Sequence, residues 1–227
     1  DASETGGGYC NLTGSKADGL ALLQWTNGWS FIETLEAVAG YHGMLGDNER
    51  TKPARKIVEQ YPYRDEDGQL SFEVVRYEPK DFRQRRPDGK GGRVWNLKGV
   101  QQVPYRLPEL IDSEGTIYIP GGEKDVETLV KDGLTATTNS GGEGNWKPDF
   151  NVHLRDRDVV ILEDNDKKGL VHGKSIAQSL WGIACSIKIV RFTELPKHGD
   201  VSDYLEDHSV DELLKKVEDA ALYEQPE

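Results

Sequence analysis

Acidic side chains recur in this chain at spacings that suit a hard divalent cation. Residues 159–162 read Val-Val-Ile-Leu, and Glu163, Asp164, Asn165 and Asp166 follow at once. Asp164 and Asp166 are two residues apart, so both can converge on one cation from the mouth of a strand. A polar turn capping the next helix accounts for the same residues, because Asn and Asp are favoured there. Glu123 and Asp125 form a second acidic group, and Asp200 and Asp203 a third. Carboxylate and water ligands suit Mg2+ or Mn2+, which is the equipment of phosphoryl transfer.

Other chemistries have less to stand on. Gly169 to Ser175 reads Gly-Leu-Val-His-Gly-Lys-Ser, one residue short of a phosphate-binding loop, and it follows an acidic turn rather than a strand. The glycine-rich loop 140–144 is no dinucleotide fingerprint. His42, His153, His172, His198 and His208 lack the spacing of a zinc helix. Cys10 and Cys185 are far apart and neither has a Cys-x-x-Cys partner, so neither a complete zinc finger nor a disulfide scaffold is expected. No Ser or Cys stands in a nucleophile-elbow context.

The elements that would position the acids follow from pattern. After Pro108, strands and helices alternate: strands over 116–119, 134–138, 159–162 and 187–191, with helices over 124–131, 149–155, 169–181 and 210–223. An unbroken apolar strand such as 159–162 is suited to burial on both faces, and such sheets place chemistry beyond strand carboxyl ends. Four strands with helical crossovers predict a mostly parallel four-stranded α/β sheet with flanking helices. Upstream, residues 61–77 alternate about Asp65-Glu66-Asp67-Gly68, a hairpin signal, and 94–97 suggests a further strand. Residues 53–111 therefore read as a small β-rich module. Before it, two short helices are expected on either side of Asn27-Gly28, with Ser30 and Glu33 as a capping box and Gly40 as a stop, then a linker over 45–53.

The 227 residues carry a net charge of −12 and a mean hydropathy of −0.66. No stretch approaches the roughly 20 apolar residues of a membrane helix, and the polar, Gly-rich start is unlike a secretory signal. A reducing cytoplasm is the expected compartment. The charge is unevenly spread. Residues 76–106 hold nine basic side chains against three acidic ones, whereas from Asp203 onward nine acidic residues oppose Lys215 and Lys216. Such asymmetry suggests a polyanion partner for one half only. Phe82, Trp95 and Tyr105 are interleaved with the basic residues, which suits single-stranded nucleic acid as well as a merely solvated surface.

At these residues the chain resembles the TOPRIM domain of bacterial-type primases. The family pattern is a strand ending in Glu-Gly, a later strand ending in Asp-x-Asp, and, in primase-like members, a further acidic element. Here these correspond to residues 117–125 (Ile-Tyr-Ile-Pro-Gly-Gly-Glu-Lys-Asp), to 162–166 (Leu-Glu-Asp-Asn-Asp) and to 197–205 (Lys-His-Gly-Asp-Val-Ser-Asp-Tyr-Leu). The resemblance covers about residues 112–220 and is closest to primase-like proteins of phages and mobile elements. It implies three regions: 1–52 as a helical remnant of the zinc-finger domain that opens such primases, with its linker; 53–111 as the basic β-rich subdomain; and 112–227 as the TOPRIM domain. Cys10 and residues 30–39 carry the zinc-finger likeness, and no zinc is expected in this chain.

The same resemblance implies Mg2+ or Mn2+ held by Asp164, Asp166 and Asp200, with Glu123, Asp164 and Asp166 catalytic. It implies nucleic acid guided by Lys80, Arg83, Arg85, Arg86, Lys90, Arg93, Trp95 and Lys98. The expected partners are single-stranded DNA or RNA, nucleoside triphosphates and a replicative helicase, with no membrane. An active member would join ribonucleotides into a primer on a DNA template. One departure matters: Gly121 stands where the family has its Glu, and a glycine can neither relay a proton nor complete a metal shell. Glu123 lies two residues on. Losing one acid–base group typically costs about 10²–10⁴-fold in rate, so weakened catalysis is expected. A non-catalytic binding module and a metal-dependent nuclease are the alternatives.

Overall fold

The computed structural model describes residues 8–9, 16–17, 19–41 and 55–225, and the chain divides into two units, Asp1–Arg55 and Lys56–Glu227. In the first unit, β1 (Gly8–Tyr9) pairs antiparallel with β2 (Lys16–Ala17), and α1 (Gly19–Asn27) precedes α2 (Phe31–Tyr41). The break falls at Gly28, whose φ of 67° is open to glycine at no steric cost. Ser30 and Glu33 form the expected reciprocal cap. The Ser30 N–H donates to Glu33 Oε2 at 2.7 Å and the Glu33 N–H to Ser30 Oγ at 3.3 Å. Gly40 lies inside α2 rather than ending it. Cys10 and the expected linker lie outside the described residues.

The second unit opens with an antiparallel sheet in the order β3-β4-β5-β6, formed by Lys56–Arg64, Leu70–Glu78, Asp81–Pro87 and Arg93–Val94. The β3–β4 turn is the one the sequence announces: the Gly68 N–H donates to Asp65 O, and Asp65 Oδ1 accepts from the Gln69 N–H at 2.8 Å. The strand expected over 94–97 stops at Val94. There Asn96 turns its side chain back to accept from the Lys98 N–H at 3.0 Å, which takes the backbone out of the ladder.

Next come α3 (Leu107–Asp112), β7 (Ile117–Ile119), α4 (Glu123–Lys131), a 3₁₀ helix over Pro148–Leu154, β8 (Asp158–Glu163), α5 (Lys167–Leu180), β9 (Ser186–Arg191), α6 (Val201–Asp207) and α7 (Val210–Asp219). β7, β8 and β9 form a parallel sheet in that order. The expected fourth strand is reduced to one parallel bridge, Ala136 to Tyr118. Thr135 and Thr137 flank that bridge, the Tyr118 N–H donating to Thr135 O and the Thr137 N–H to Tyr118 O, and beyond it the chain turns to other partners: Thr137 Oγ1 donates to Tyr105 O and Thr138 Oγ1 to Pro120 O.

Val159, Val160, Ile161 and Leu162 are all buried, as a strand covered on both faces requires. Tyr61, Tyr63 and Phe72 of the antiparallel sheet belong to the same core as Ile117, Ile161 and Ile176. A boundary at residue 111 would therefore cut through shared packing.

The stretch Gly169 to Ser175 lies within α5, where Gly169 and Gly173 are one turn apart and face β8. A Cβ on Gly169 would sit 2.5 Å from the Asp164 carbonyl oxygen, and one on Gly173 2.5 Å from Glu163 Cγ. These glycines bring helix and strand together rather than cradling phosphate. Glu163 is held in place, being buried with its Oε2 bonded to Arg191 Nε at 2.6 Å. Gly173→Ala overpacks this contact at a cost of about 1–3 kcal/mol, of which better helix propensity recovers at most about 1 kcal/mol. Thermal melts followed by circular dichroism should show a lower melting temperature for Gly173→Ala and no change for Lys174→Ala on the exposed face.

Candidate active site

Parallel register brings the acids to one edge. Ile119 pairs with Ile161, so β7 and β8 finish side by side and the segments after them meet. Beyond β7, the turn Pro120-Gly121-Gly122 leads into α4, whose first turn carries Glu123 and Asp125, both buried. Beyond β8 comes Asp164. Asn165 then pins a distant loop: its N–H donates to Gly199 O at 2.9 Å, its carbonyl accepts from the His198 N–H, and its side chain donates to Leu195 O at 2.7 Å. That brings in Asp200, the N-cap of α6, which forms a capping box with Asp203.

The result is a cleft of about 550 Å³. Glu123, Asp125, Asp164 and Asp200 line one side, and Arg76, Lys80, Phe82 and Gln84 of the antiparallel sheet line the other. Asp166 is not among the lining residues. It caps α5, accepting from the Lys168 and Gly169 N–H groups at 2.8 Å each, and pairs with His198 Nδ1 at 2.6 Å. The metal-ligand and helix-cap readings of the Asp-x-Asp are thus divided, with Asp164 in the cleft and Asp166 at the helix. Among the described residues, no three His, Cys, Asp or Glu side chains gather closely enough to hold an ion by themselves.

Burial, and after it like charge, dominates the acidic side. Asp125 is pushed up to about 7 by burial and by the neighbouring Asp200 carboxylate, although the Ser202 hydroxyl donates to its Oδ1. Asp164 is pushed up to about 7 by burial and then by Asp125 and Asp200. Lys124, which also lines the cleft, bonds Asp200 Oδ2 at 3.1 Å. Glu123 is also raised by burial, even though the Tyr63 hydroxyl donates to its Oε1 at 2.9 Å. Asp166 is lowered by its backbone hydrogen bonds and by His198.

Gly121 lies against Asp164. A Cβ at position 121 would fall 2.8 Å from both Asp164 carboxylate oxygens, so Asp164 occupies the space where a side chain would begin.

Strand parity divides the expected nucleic-acid residues. Lys80 lines the cleft, together with Arg76, Phe82 and Gln84. Arg83 and Arg85 alternate with Phe82 and Gln84 along β5 and so take the other face, where their guanidinium carbons lie 4.8 and 5.3 Å from the Trp95 ring centre. On that face Arg85 and Arg93 both pair with Glu73, at 2.8 and 2.9 Å, and hold it below the usual carboxylate range despite burial. Arg86 sits at the β5–β6 pairing, while Lys90 and Lys98 are on exposed turns. The sequence reading missed Phe82 and Gln84 as cleft residues. Their spacing of two along β5, just after the turn that carries Lys80, was the available signal.

No protein-family model matches the chain. The gene 57 protein of Mycobacterium phage D29 is 27% identical over 157 residues, which is 66% of this chain and 98% of the phage protein. A DNA primase domain from Pseudomonas aeruginosa superposes with a TM-score of 0.56 at 16% identity, over 95% of this chain and 56% of that one. A DnaG primase catalytic domain bound to ssDNA gives 0.54 at 18% identity, over 72% of this chain and 53% of that one. The chain thus spans little more than half the length of either primase. What is shared is the fold: the parallel sheet with flanking helices, joined to an antiparallel sheet, is that of DnaG-type primase catalytic cores.

Asp125 and Asp164 both hold their protons more tightly in the folded protein than at the ordinary Asp value of 3.8. Their charged forms therefore cost stability above about pH 7, and that cost is relieved as the pH falls toward 3.8. Asp164→Asn should raise the melting temperature at pH 8 in EDTA, with the gap to wild type closing near pH 4. Melts across that range check it, and an unchanged or lower melting temperature at pH 8 refutes the repulsion.

Proposed function

We propose that the chain is a primase-like TOPRIM protein that binds Mg2+ or Mn2+ and single-stranded nucleic acid. The observation that carries this reading is the cleft itself, where a wall of carboxylates faces a wall bearing Arg76 and Lys80. A polyanionic strand is attracted by the basic side, while the acidic side repels it unless a cation intervenes.

The residues present fit such a cation. The donors are all carboxylate oxygens, and Asp125 and Asp164 repel each other enough that a divalent charge would favour their ionised forms. Mg2+ takes one or two carboxylates and keeps waters or substrate phosphates for the rest of its shell. Asp164 would hold it, with Asp125 or Asp200 beside it. When bound, the metal would neutralise triphosphate charge during nucleotidyl transfer.

The chain's own groups would do the remaining work. Arg76 and Lys80 would position the template backbone, Phe82 offers a ring for a base to stack on, and Lys124 holds Asp200 through an ion pair. Gly121 provides no acid or base, and adding Glu there would first have to displace Asp164. Any primer synthesis is therefore slow. Nucleoside triphosphates and a replicative helicase are the partners this reading implies.

The geometry at Gly121 also favours a second reading, a non-catalytic module that holds single strands on a primase scaffold. The two are separated by incubating the protein with a single-stranded DNA template and labelled ribonucleotides in Mg2+ or Mn2+. Primase action predicts labelled primers that disappear, by 100-fold or about that, in Asp164→Ala. Primers that persist in Asp164→Ala would sink the catalytic reading. Shortening of a labelled strand under the same conditions would indicate a nuclease. On either of the first two readings, Arg76→Ala with Lys80→Ala should weaken strand binding and shrink its salt slope by about 1.4, as measured by fluorescence anisotropy.

A further inference from the structure

We propose that Glu143 supplies the carboxylate that Gly121 lacks, holding the divalent cation together with Asp164. This rests on the reading of the cleft as a cation site and names a ligand that the Asp-x-Asp pattern does not contain.

Two carboxylates are near enough to substitute for a side chain at position 121. Glu123 is the nearer in sequence, but it is built into the floor of the cleft. It is 8% exposed, and its Oε1 is taken by the Tyr63 hydroxyl. Moving it toward Asp164 would strand a buried tyrosine hydroxyl, at a cost comparable to a lost buried hydrogen bond. Glu143 arrives from the opposite direction, on the loop between the Ala136 bridge and the 3₁₀ helix. It lines a water-sized void with Gly121, Asp164 and His172. Among the described residues, no hydrogen bond or ion pair engages its carboxylate. The negative charge of Glu143 adds to that which burial, Asp125 and Asp200 impose on Asp164.

The loop is fixed on both sides of Glu143. Gly142 and Gly144 take φ values of 74° and 81°, which glycine alone adopts freely. The Gly142 carbonyl accepts from Asn139 Nδ2 at 2.7 Å, and the Gly144 N–H donates to His172 Nδ1 at 3.0 Å. Because His172 Nδ1 accepts, the proton of the neutral ring resides on Nε2. That atom is buried without a partner, as is Glu163 Oε1, and both residues line the same void. A donor and an acceptor across a space of about 10 Å³ suit one bridging water. The two observed hydrogen bonds hold the loop on either side of Glu143 before any ligand arrives, so little ordering cost remains for binding.

The test is Mn2+ binding to the full chain, read from loss of the free-ion electron paramagnetic resonance signal. It is run in about 0.5 M KCl so that the field of remote charges is screened. Glu143→Gln and Asp164→Asn should each weaken Mn2+ affinity by about tenfold or more, whereas Glu123→Gln should weaken it by less than either. Circular dichroism confirms that each variant is folded. If Asp164→Asn weakens binding and Glu143→Gln does not, the assignment of Glu143 falls while the cation site stands. The same holds if Glu123→Gln takes its place. If neither Asp164→Asn nor Glu143→Gln weakens binding, the cation site itself is refuted. If Glu143→Gln alone weakens it, the pairing with Asp164 is wrong.

Discussion

The register between β7 and β8 is the constraint from which the site follows. Two parallel strands that pair Ile117 with Val159 and Ile119 with Ile161 must finish at the same edge, and parallel connections return there only after a crossover. Whatever follows each strand is therefore brought into contact. Here the sequels are a glycine turn on one side and Asp164 on the other, close enough that the Asp164 carboxylate occupies the position of a missing Cβ. The approach of α5 is governed in the same way, because Gly169 and Gly173 let the helix lie against the backbone and side chain of β8. Asp164 is thus boxed between a turn and a helix, and its orientation is set by packing rather than by a hydrogen-bond partner.

That confinement creates the electrostatic problem at the cleft. Burial and neighbouring carboxylates, Asp200 acting on both, lift Asp125 and Asp164 to about 7, while Lys124 pairs with Asp200. By contrast, Glu73 on the far face of the antiparallel sheet sits between two arginines and stays well ionised. The same protein therefore neutralises a buried carboxylate where the sheet needs holding together and leaves several under strain where the strands end. Replacing buried charge with apolar groups of similar size is often neutral or stabilising, so packing alone gives no reason for such an arrangement.

The features legible in the sequence are those set by neighbours along the chain. The apolar run before Glu163, the Asp65–Gly68 turn and the Ser30–Glu33 cap each depend on a few consecutive residues, and each is found in the structure. The acids after β7, β8 and β9 were readable as a group because parallel topology sends strand ends to one edge. What was not readable depends on parity and on long-range partners. Arg83 and Arg85 look equivalent to Lys80 in composition, yet on β5 they fall one residue out of step with Phe82 and Gln84 and so take the opposite face. Glu73 claims Arg85 and Arg93 from 12 and 20 residues away. Asp166 divides from Asp164 because a helix N-terminus presents unpaired N–H groups to the first side chain that can accept them. His198, 32 residues on, then claims its second oxygen.

Glycine in this chain has two opposite effects on the acidic edge. At 121 it leaves out a side chain, and the Asp164 carboxylate occupies the space where one would begin, buried and close to other carboxylates. At 142 and 144 it permits left-handed backbone that bends a loop back over the same edge and returns a carboxylate, Glu143, to the void beside Gly121. A loop carboxylate is not equivalent to one fixed on a strand end. It can bind a cation as well, since attraction tolerates small shifts, but a proton-transfer group loses much of its effect when displaced by about 1 Å. If the cleft is a cation site as proposed, such an arrangement would favour holding a divalent ion over fast chemistry, and the two properties need not decline together.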